Sequence, residues 1–574
     1  MDQHILDRAN GWKDNSFLDT EHRDEIQKLI ETNNETELTE RFYKDLEFGT
    51  GGLRSIAGIG TNRINKYTVR RATQAMAEMV KKHNPENCCV AISYDSRNFS
   101  FEFSREAASV FAGNGIKVWI YRRLNPVPML SFAVRELKCA AGVMITASHN
   151  PPEYNGFKAY GPDGGQLIPP LDGEVIDNYK KIEDYAGIPF MDFEEGLKSE
   201  AIQYIPDELE QKFYDIIEEY SVDPEFCKSH GKDLAVVYTA IHGTGHRPCT
   251  TVLNQLGFTN TYSVEQQAEP NGDFPTVTSP NPENPEAMDL AVKYMQEHNC
   301  DIVFGSDPDT DRLGVAFMKD GQVSYLNGNQ IGTLMLDYII RRRKELGTLK
   351  NKSFIVNTVV TSPLQNTIAE ANGLASYKTL TGFKWICGKV NNLMAEDSER
   401  NFLFGTEESF GYLTHPYIRD KDGVGSVAMM AEVALYYKKQ GIDLLTAMDK
   451  IYEQYGFSQE TLINKVYEGK EGAEKISRIM ELFRNEVKSE FAELKINDTT
   501  DLKKNPGEYP VSNVLGFHFD EGTHLWVRPS GTEPKIKFYL LVNATDGSLE
   551  AKKADAQNKT DRLTKLIDQF AEKA

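Results

Sequence analysis

The sequence predicts an α/β protein built as three similar α/β domains with mostly parallel, mixed sheets, plus a smaller C-terminal α+β domain. Two observations carry this. Short apolar runs of strand length alternate with helical stretches in three successive blocks. The last part of the chain then changes to strands that alternate apolar and polar residues, as half-buried antiparallel strands do.

Residues 1–35 are polar and read as a helical lead-in. CCVAIS (88–93) is apolar, short and followed by the turn-like YDSRN, so it reads as a buried strand. A helix near 102–113, the strand KVWIYR (117–122), the helix PMLSFAVREL and the strand CAAGVMIT (139–146) complete a β-α-β-α-β unit. The grammar returns in DLAVVYTA (233–240), a helical stretch from Pro248 to Leu256, the helix 287–298 and the strand CDIVFG (300–305). A third unit runs through SFIVNTVV (353–360), SPLQNTIAEA, SYKTL, a helix over GFKWICGKVNNLM and NFLFG (401–405). GFHFD, THLWVRP and KIKFYLLVN alternate, and a helix near 550–572 follows. The expected domains are 1–205, 206–322, 323–460 and 461–574. Two stretches read as linkers: the acidic 183–211, and 265–286, whose five prolines exclude a helix or a central strand. Long irregular loops in compact domains are often functional.

The 574 residues are 40% apolar and 26% charged, an ordinary globular composition, with a net charge of −21. Such a chain repels nucleic acid and anionic lipid overall, so an anionic substrate needs a locally basic pocket. No run reaches a membrane span, and the N-terminal residues lack the apolar core of a secretory signal. Seven scattered cysteines without a CxxC pair point to free thiols and a reducing, cytoplasmic setting.

Five loops carry chemistry. TASHNPPEYNGFK (146–158) follows a buried parallel strand, where α/β folds place ligands, and its prolines hold Ser148 out of a helix. GSDPDTDR (305–312) sets Asp307, Asp309 and Asp311 at spacing two, three carboxylates suited to a hard divalent cation. An EF-hand would need Gly and Glu where Arg312 and Met318 stand, and an aspartyl-phosphate motif would need Thr or Val at Asp311. FGTEESFGY (404–412) offers carboxylates and a hydroxyl that can pair with sugar hydroxyls. RPSGTEPKIK (528–537) combines Arg528 and Ser530 with Gly531 and Thr532 in a turn able to cradle phosphate. FGTGGLR (48–54) puts three glycines before Arg54. Singly, each loop is also compatible with a solvated turn.

Taken together, TASHNP, DPDTDR, GTEESFG and RPSGTEP resemble the four ordered motifs of the α-D-phosphohexomutase superfamily over roughly residues 40–545. FGTGGLR, the length and RDKDG (419–423) resemble the branch of long phosphoglucomutases and phosphopentomutase-like enzymes. The resemblance implies four domains around a central cleft. It implies a phosphotransferase that interconverts α-glucose 1-phosphate and glucose 6-phosphate through phosphorylated Ser148 and a bisphosphate intermediate. The alternatives are a pentose mutase acting on ribose or deoxyribose phosphates and, on the same fold, a silent phosphosugar sensor. It further implies one Mg²⁺ held by Ser148, Asp307, Asp309 and Asp311, with glucose 1,6-bisphosphate as activator. Lys158 becomes the general acid–base, provided its pKa is lowered, and Arg54 a catalytic cation. His149, Arg312, Gly382, Phe383, Lys384, Glu407, Ser409, Lys421, Arg528, Ser530, Gly531 and Thr532 become substrate contacts. The expected partner is a phosphosugar, with neither nucleic acid nor membrane, on a monomer or small homo-oligomer. One departure is LRSIAG where the branch reads LRG, which places Ser55 beside Arg54.

Overall fold

CCVAIS forms the strand Cys89–Tyr94, buried along its whole length. It is a central strand, paired on its two edges with parallel Lys117–Ile120 and Ala141–Ile145, and it is apolar because helices pack against the faces of a parallel sheet. We describe residues 2–49, 52–467, 469–530 and 535–574 of a computed structural model. The chain forms two compact units, one of residues 1–326 with 411–435 and one of 327–410 with 436–574.

The first unit holds two sheets. In the six-stranded one the order is Leu53–Ile56, Tyr154–Tyr160, Ala141–Ile145, Cys89–Tyr94, Lys117–Ile120, Ile202–Tyr204. The last four run parallel, and the first two are antiparallel additions at one edge. Helices Ser100–Gly113 and Val127–Glu136 pack on this sheet. Val90, Ile92, Phe111, Val143 and Ile145 are fully buried in its core, each contributing about 1.5–3 kcal/mol. The five-stranded sheet runs Gln322–Leu326, Gly314–Lys319, Ile302–Gly305, Val236–Thr239, Thr261–Ser263. Its edge hairpin turns on Asp320 and Gly321, both at positive φ (51° and 77°), as a two-residue Asp-Gly turn requires.

In the second unit, Ser353–Thr358 lies between parallel Ala375–Thr379 and Asn401–Glu407. The sheet of the last part is antiparallel, in the order Phe457–Val466, Lys535–Ala544, His524–Pro529, Leu515–Phe519, Leu494–Asp501, Glu490–Phe491. Helices Gly469–Glu486 and Leu549–Lys573 contribute Phe483, Leu563 and Ile567 to the core of this α+β element.

Three expectations are corrected. The stretch 265–286 does contain helix: Glu265–Ala268 forms a short one before the first proline, and a 3-10 turn spans Pro285–Met288. The stretch 183–211 is not a linker: it holds helix Phe193–Lys198, strand Ile202–Tyr204 and the start of helix Asp207–Tyr220. The polar lead-in is a three-helix element, Gln3–Lys13, Thr20–Glu31 and Glu35–Phe42, with its own core of Trp12, Leu18, Ile26, Leu38 and Phe42 against Tyr67. Among the described residues no helix is long and apolar enough to cross a membrane. All seven cysteines are free.

Candidate active site

The serine loop begins where the strand Ala141–Ile145 ends. Thr146 donates its hydroxyl to Asp95 Oδ2 (2.6 Å) and accepts from the Ser148 amide (2.8 Å). Ser148 is 3% exposed and sits at φ 53°. A left-handed serine is a strained conformation that persists only when its surroundings hold it. Here Arg97 holds it: the guanidinium donates to the carbonyls of Ser148 (2.6 Å), Asn150, Pro151 (2.8 Å) and Tyr154 (3.0 Å). Asp95 lies 3.4 Å from Arg97 Nε and also accepts from the Ser100 hydroxyl and the Arg97 amide. Burial pushes the Asp95 carboxyl up, opposed by the Arg97 charge.

The aspartate loop follows the strand Ile302–Gly305. Asp307 Oδ1 accepts the amides of Asp311 and Arg312 (3.1 Å each), which turns Oδ2 outward to accept from Ser148 Oγ at 2.9 Å. The loop is buttressed by Thr244, whose amide and hydroxyl both donate to the Pro308 carbonyl and whose hydroxyl also meets that of Thr310 at 2.8 Å. Oxygens of Asp307, Asp309 and Asp311 lie within 4.8 Å of one another, all buried. Asp309 Oδ1 and Asp311 Oδ1 are buried without a hydrogen-bond partner. Buried carboxylate oxygens left unsatisfied are costly unless a cation completes them, so the residues fit a hard divalent ion. Burial and the two neighbouring carboxylates push Asp307 well up, whereas Lys421, Lys158 and Arg312 hold Asp311 down against its own burial.

Lys158 corrects two expectations. It belongs not to the loop but to the strand Tyr154–Tyr160, opposite Met144. Its Nζ donates to Asp309 Oδ2 at 2.7 Å and lies 3.5 Å from Asp311 Oδ2. Burial lowers its pKa, but the two carboxylates outweigh burial and raise it, the opposite of the expected lowering. Lys421 reaches Asp311 Oδ2 at 2.8 Å. Its loop is pinned by Gly423, whose amide donates to Thr310 O (3.1 Å), and a Cβ there would sit 2.5 Å from that oxygen. Arg312 Nε lies 3.8 Å from Asp311 Oδ1 and 4.0 Å from Asp307 Oδ2. Three carboxylates therefore face three cations. His149 Nδ1 is 3.2 Å from Ser148 Oγ, and burial, then Arg312 and Arg54, push its imidazole well below the usual range. Arg54 donates to Asn150 Oδ1 at 3.2 Å. The close approach beside it is made at Gly52 (φ 110°), where a Cβ would fall 1.9 Å from Phe157 O. Ser55 is an ordinary strand residue whose hydroxyl donates to Asn62 O (2.9 Å), so the departure from LRG is accommodated.

In the second unit, Glu407 is 6% exposed and its Oε1 accepts the Gly382 amide at 2.7 Å. This ties the GTEESFG loop to the start of helix Phe383–Glu396. Phe383 is buried there, and Lys384 lies over the Trp385 ring at 4.9 Å. Glu408 accepts from the Thr358 hydroxyl at 3.3 Å, and burial with the Glu407 charge pushes it up to about 7. Ser409 is half-buried between Glu408 and Phe410, the latter at φ 61°. Arg528 pairs across the sheet with Lys537, and the Ser530 amide donates to Lys535 O at 2.8 Å. Gly531 and Thr532 lie outside the described residues.

Sequence reading missed Asp95, Arg97 and Thr244. The signal was available: DSR and HGTG both follow buried strands at their carboxyl ends, as the serine and aspartate loops do.

Four family models match in order: phosphoglucomutase/phosphomannomutase α/β/α domain I over residues 45–186, domain II over 211–321, domain III over 327–455 and the C-terminal domain over 486–556. A phosphoglucomutase of Staphylococcus epidermidis is 33% identical over 94% of this chain and 98% of its own. One of Staphylococcus haemolyticus is 36% identical over 88% and 91%. Among solved structures, the open form of the Paramecium phosphoglucomutase parafusin shares the fold with TM-score 0.67 and 18% identity over 92% of this chain and 96% of that one. A phosphoglucomutase/phosphomannomutase family protein of Burkholderia thailandensis shares it with TM-score 0.64 and 17% identity over 90% and 97%. With these matches and the serine and aspartate loops facing each other, the chain belongs to the phosphoglucomutase/phosphomannomutase family.

Proposed function

We propose that this chain interconverts glucose 1-phosphate and glucose 6-phosphate by passing a phosphoryl group through Ser148. The observation that carries the reading is the contact of Ser148 Oγ with Asp307 at 2.9 Å, inside a ring of three buried carboxylates and three cations. Curated relatives at about a third identity over most of the chain are phosphoglucomutases. The pentose reading draws no support from them.

Phosphoryl transfer asks a protein for alignment and charge neutralisation more than for covalent chemistry. The carboxylates and cations described above nearly cancel, while a phosphoserine brings about two negative charges. Mg²⁺ bound by Asp307, Asp309, Asp311 and a phosphoserine oxygen would supply the missing positive charge. Arg97 and Thr146 hold Ser148 in the left-handed backbone conformation in which Oγ meets Asp307. Lys158, an ammonium in this arrangement, is placed to exchange a proton with the sugar hydroxyl, and Arg54 and Arg312 to hold phosphoryl oxygens. Glu407 and Ser409 would grip sugar hydroxyls, with Gly382 and Lys384 beside them. Arg528, Ser530, Gly531 and Thr532 would hold the phosphate that is not moving. Glucose 1,6-bisphosphate would prime the serine.

We divide the chain into domains at 1–205, 206–322, 323–460 and 461–574, a division supported by the four matched segments. We place it in the cytoplasm, which its free thiols support. The test is one assay panel with Mg²⁺ and catalytic bisphosphate: glucose, mannose, ribose and deoxyribose 1-phosphates. Glucose 1-phosphate should give the highest kcat/KM. A pentose phosphate turned over faster would overturn the substrate assignment, and no turnover of any would overturn the mutase reading.

A further inference from the structure

The proline-rich stretch 265–286 takes no part in the chemistry above, yet it touches both halves of the transfer centre. Phe274 is buried at φ 45°, with its ring 5.0 Å from the Arg97 guanidinium that gathers the nucleophile loop. Asp273 accepts from Asn98 Nδ2 at 2.7 Å, and Gly272 packs on the Asn98 amide too closely to admit a Cβ (2.4 Å). Ser279 donates its hydroxyl to His149 O, the carbonyl next to Ser148, at 3.0 Å. At the other end Glu283 forms an ion pair with Arg312 at the edge of the aspartate loop. Thr276 meets His242 Nε2 at 2.9 Å, on the same loop as Thr244. Between the short helix Glu265–Ala268 and the 3-10 turn Pro285–Met288, the prolines restrict the backbone and the stretch forms neither helix nor strand. A short, rigid run thus reaches from the residue beside the nucleophile to the arginine beside the carboxylates.

We propose that residues 272–283 are a positioning strap for phosphoryl transfer, in which Glu283 aims the Arg312 guanidinium at the phosphoryl group and Ser279 fixes the nucleophile loop. Neither is a catalytic residue, since each acts through another group. The strap rests on the phosphoserine reading. Arg312 Nε already stands 4.0 Å from Asp307 Oδ2, the oxygen that accepts from Ser148. An arginine with its far end anchored loses less rotamer freedom when it meets a phosphoryl group than one released into solvent.

The test follows transfer of labelled phosphate from glucose 1,6-bisphosphate to Ser148, in the full chain with saturating Mg²⁺. Glu283→Gln should slow labelling by about tenfold, the scale of one charged hydrogen bond. Its Mg²⁺ affinity, read by calorimetry, should stay at the wild-type value. In an Arg312→Ala background, Glu283→Gln should change the rate by less than about twofold, because a residue acting through Arg312 has nothing left to aim. Wild-type labelling by Glu283→Gln, or its full effect added on top of Arg312→Ala, overturns the strap. Should Glu283→Gln fail to fold, Ser279→Ala carries the test: slower labelling with unchanged Mg²⁺ affinity supports the proposal, and wild-type labelling overturns it. If wild-type protein takes no label, the phosphoserine reading has failed and not the strap alone.

Discussion

Replacing Arg97 by methionine should open the nucleophile loop without unfolding the chain. Arg97 is 2% exposed and pairs with Asp95, which is equally buried. Methionine fills similar space but leaves Asp95 a buried carboxylate without its cation, a loss of about 3–5 kcal/mol. The lower end applies, because Asp95 keeps the donors Thr146 and Ser100 and the backbone amide of residue 97. The carbonyls of Ser148, Asn150, Pro151 and Tyr154 also lose their shared donor. At 1.4 kcal/mol per tenfold, about 3 kcal/mol means that amide hydrogens over residues 146–154 should lose protection by about a hundredfold. Hydrogen exchange read by mass spectrometry measures this directly. The double variant Asp95→Asn/Arg97→Met removes the stranded charge and should recover part of the protection. A change below tenfold in Arg97→Met, or no recovery in the double variant, refutes the reasoning that this ion pair holds the loop.

Asp309→Asn removes one of three clustered carboxylates and should weaken Mg²⁺ binding at least about tenfold by calorimetry, with loss of turnover to match; chelation should abolish wild-type activity and Mg²⁺ restore it. Glu408 has its folded pKa raised from 4.5 to about 7, so folding takes up a proton there. Its contribution to stability is greatest below about pH 4.5 and is lost as pH climbs through about 7. Glu408→Gln should remove that slope, so its melting temperature relative to wild type rises between pH 5 and pH 8; a difference flat with pH would count against the shift. Arg528→Ala should raise KM for the phosphosugar by about tenfold or more with kcat less affected, and the reverse split would argue against an anchoring role.

Much of the fold was legible because each α/β unit is built on strands buried on both faces, which read as continuous apolar runs. Residues 89–94, 302–305 and 353–358 show this. Ile202–Tyr204 was not legible: three residues carry no period, and its pairing with Lys117–Ile120 is a contact far along the chain. The helix Asp207–Tyr220 was hidden by its acidic first turn, although Phe213, Tyr214, Ile216 and Ile217 sit on its buried side. In the site, the serine and the aspartates could be read from their loops. The Lys158 pKa could not, since the sequence does not reveal that Asp309 stands 2.7 Å away. Arg97 was overlooked because an arginine after a strand usually faces solvent. Only the structure shows it enclosed by four carbonyls and Phe274.

The most direct test is mass spectrometry of the peptide containing Ser148, from protein incubated with glucose 1,6-bisphosphate and then with glucose 6-phosphate. The account requires phosphate on that serine after the first step and its departure into sugar bisphosphate after the second, with Ser148→Ala folded but unlabelled. A serine that stays bare while sugar phosphates still interconvert, or phosphate that settles on a different residue, would contradict it.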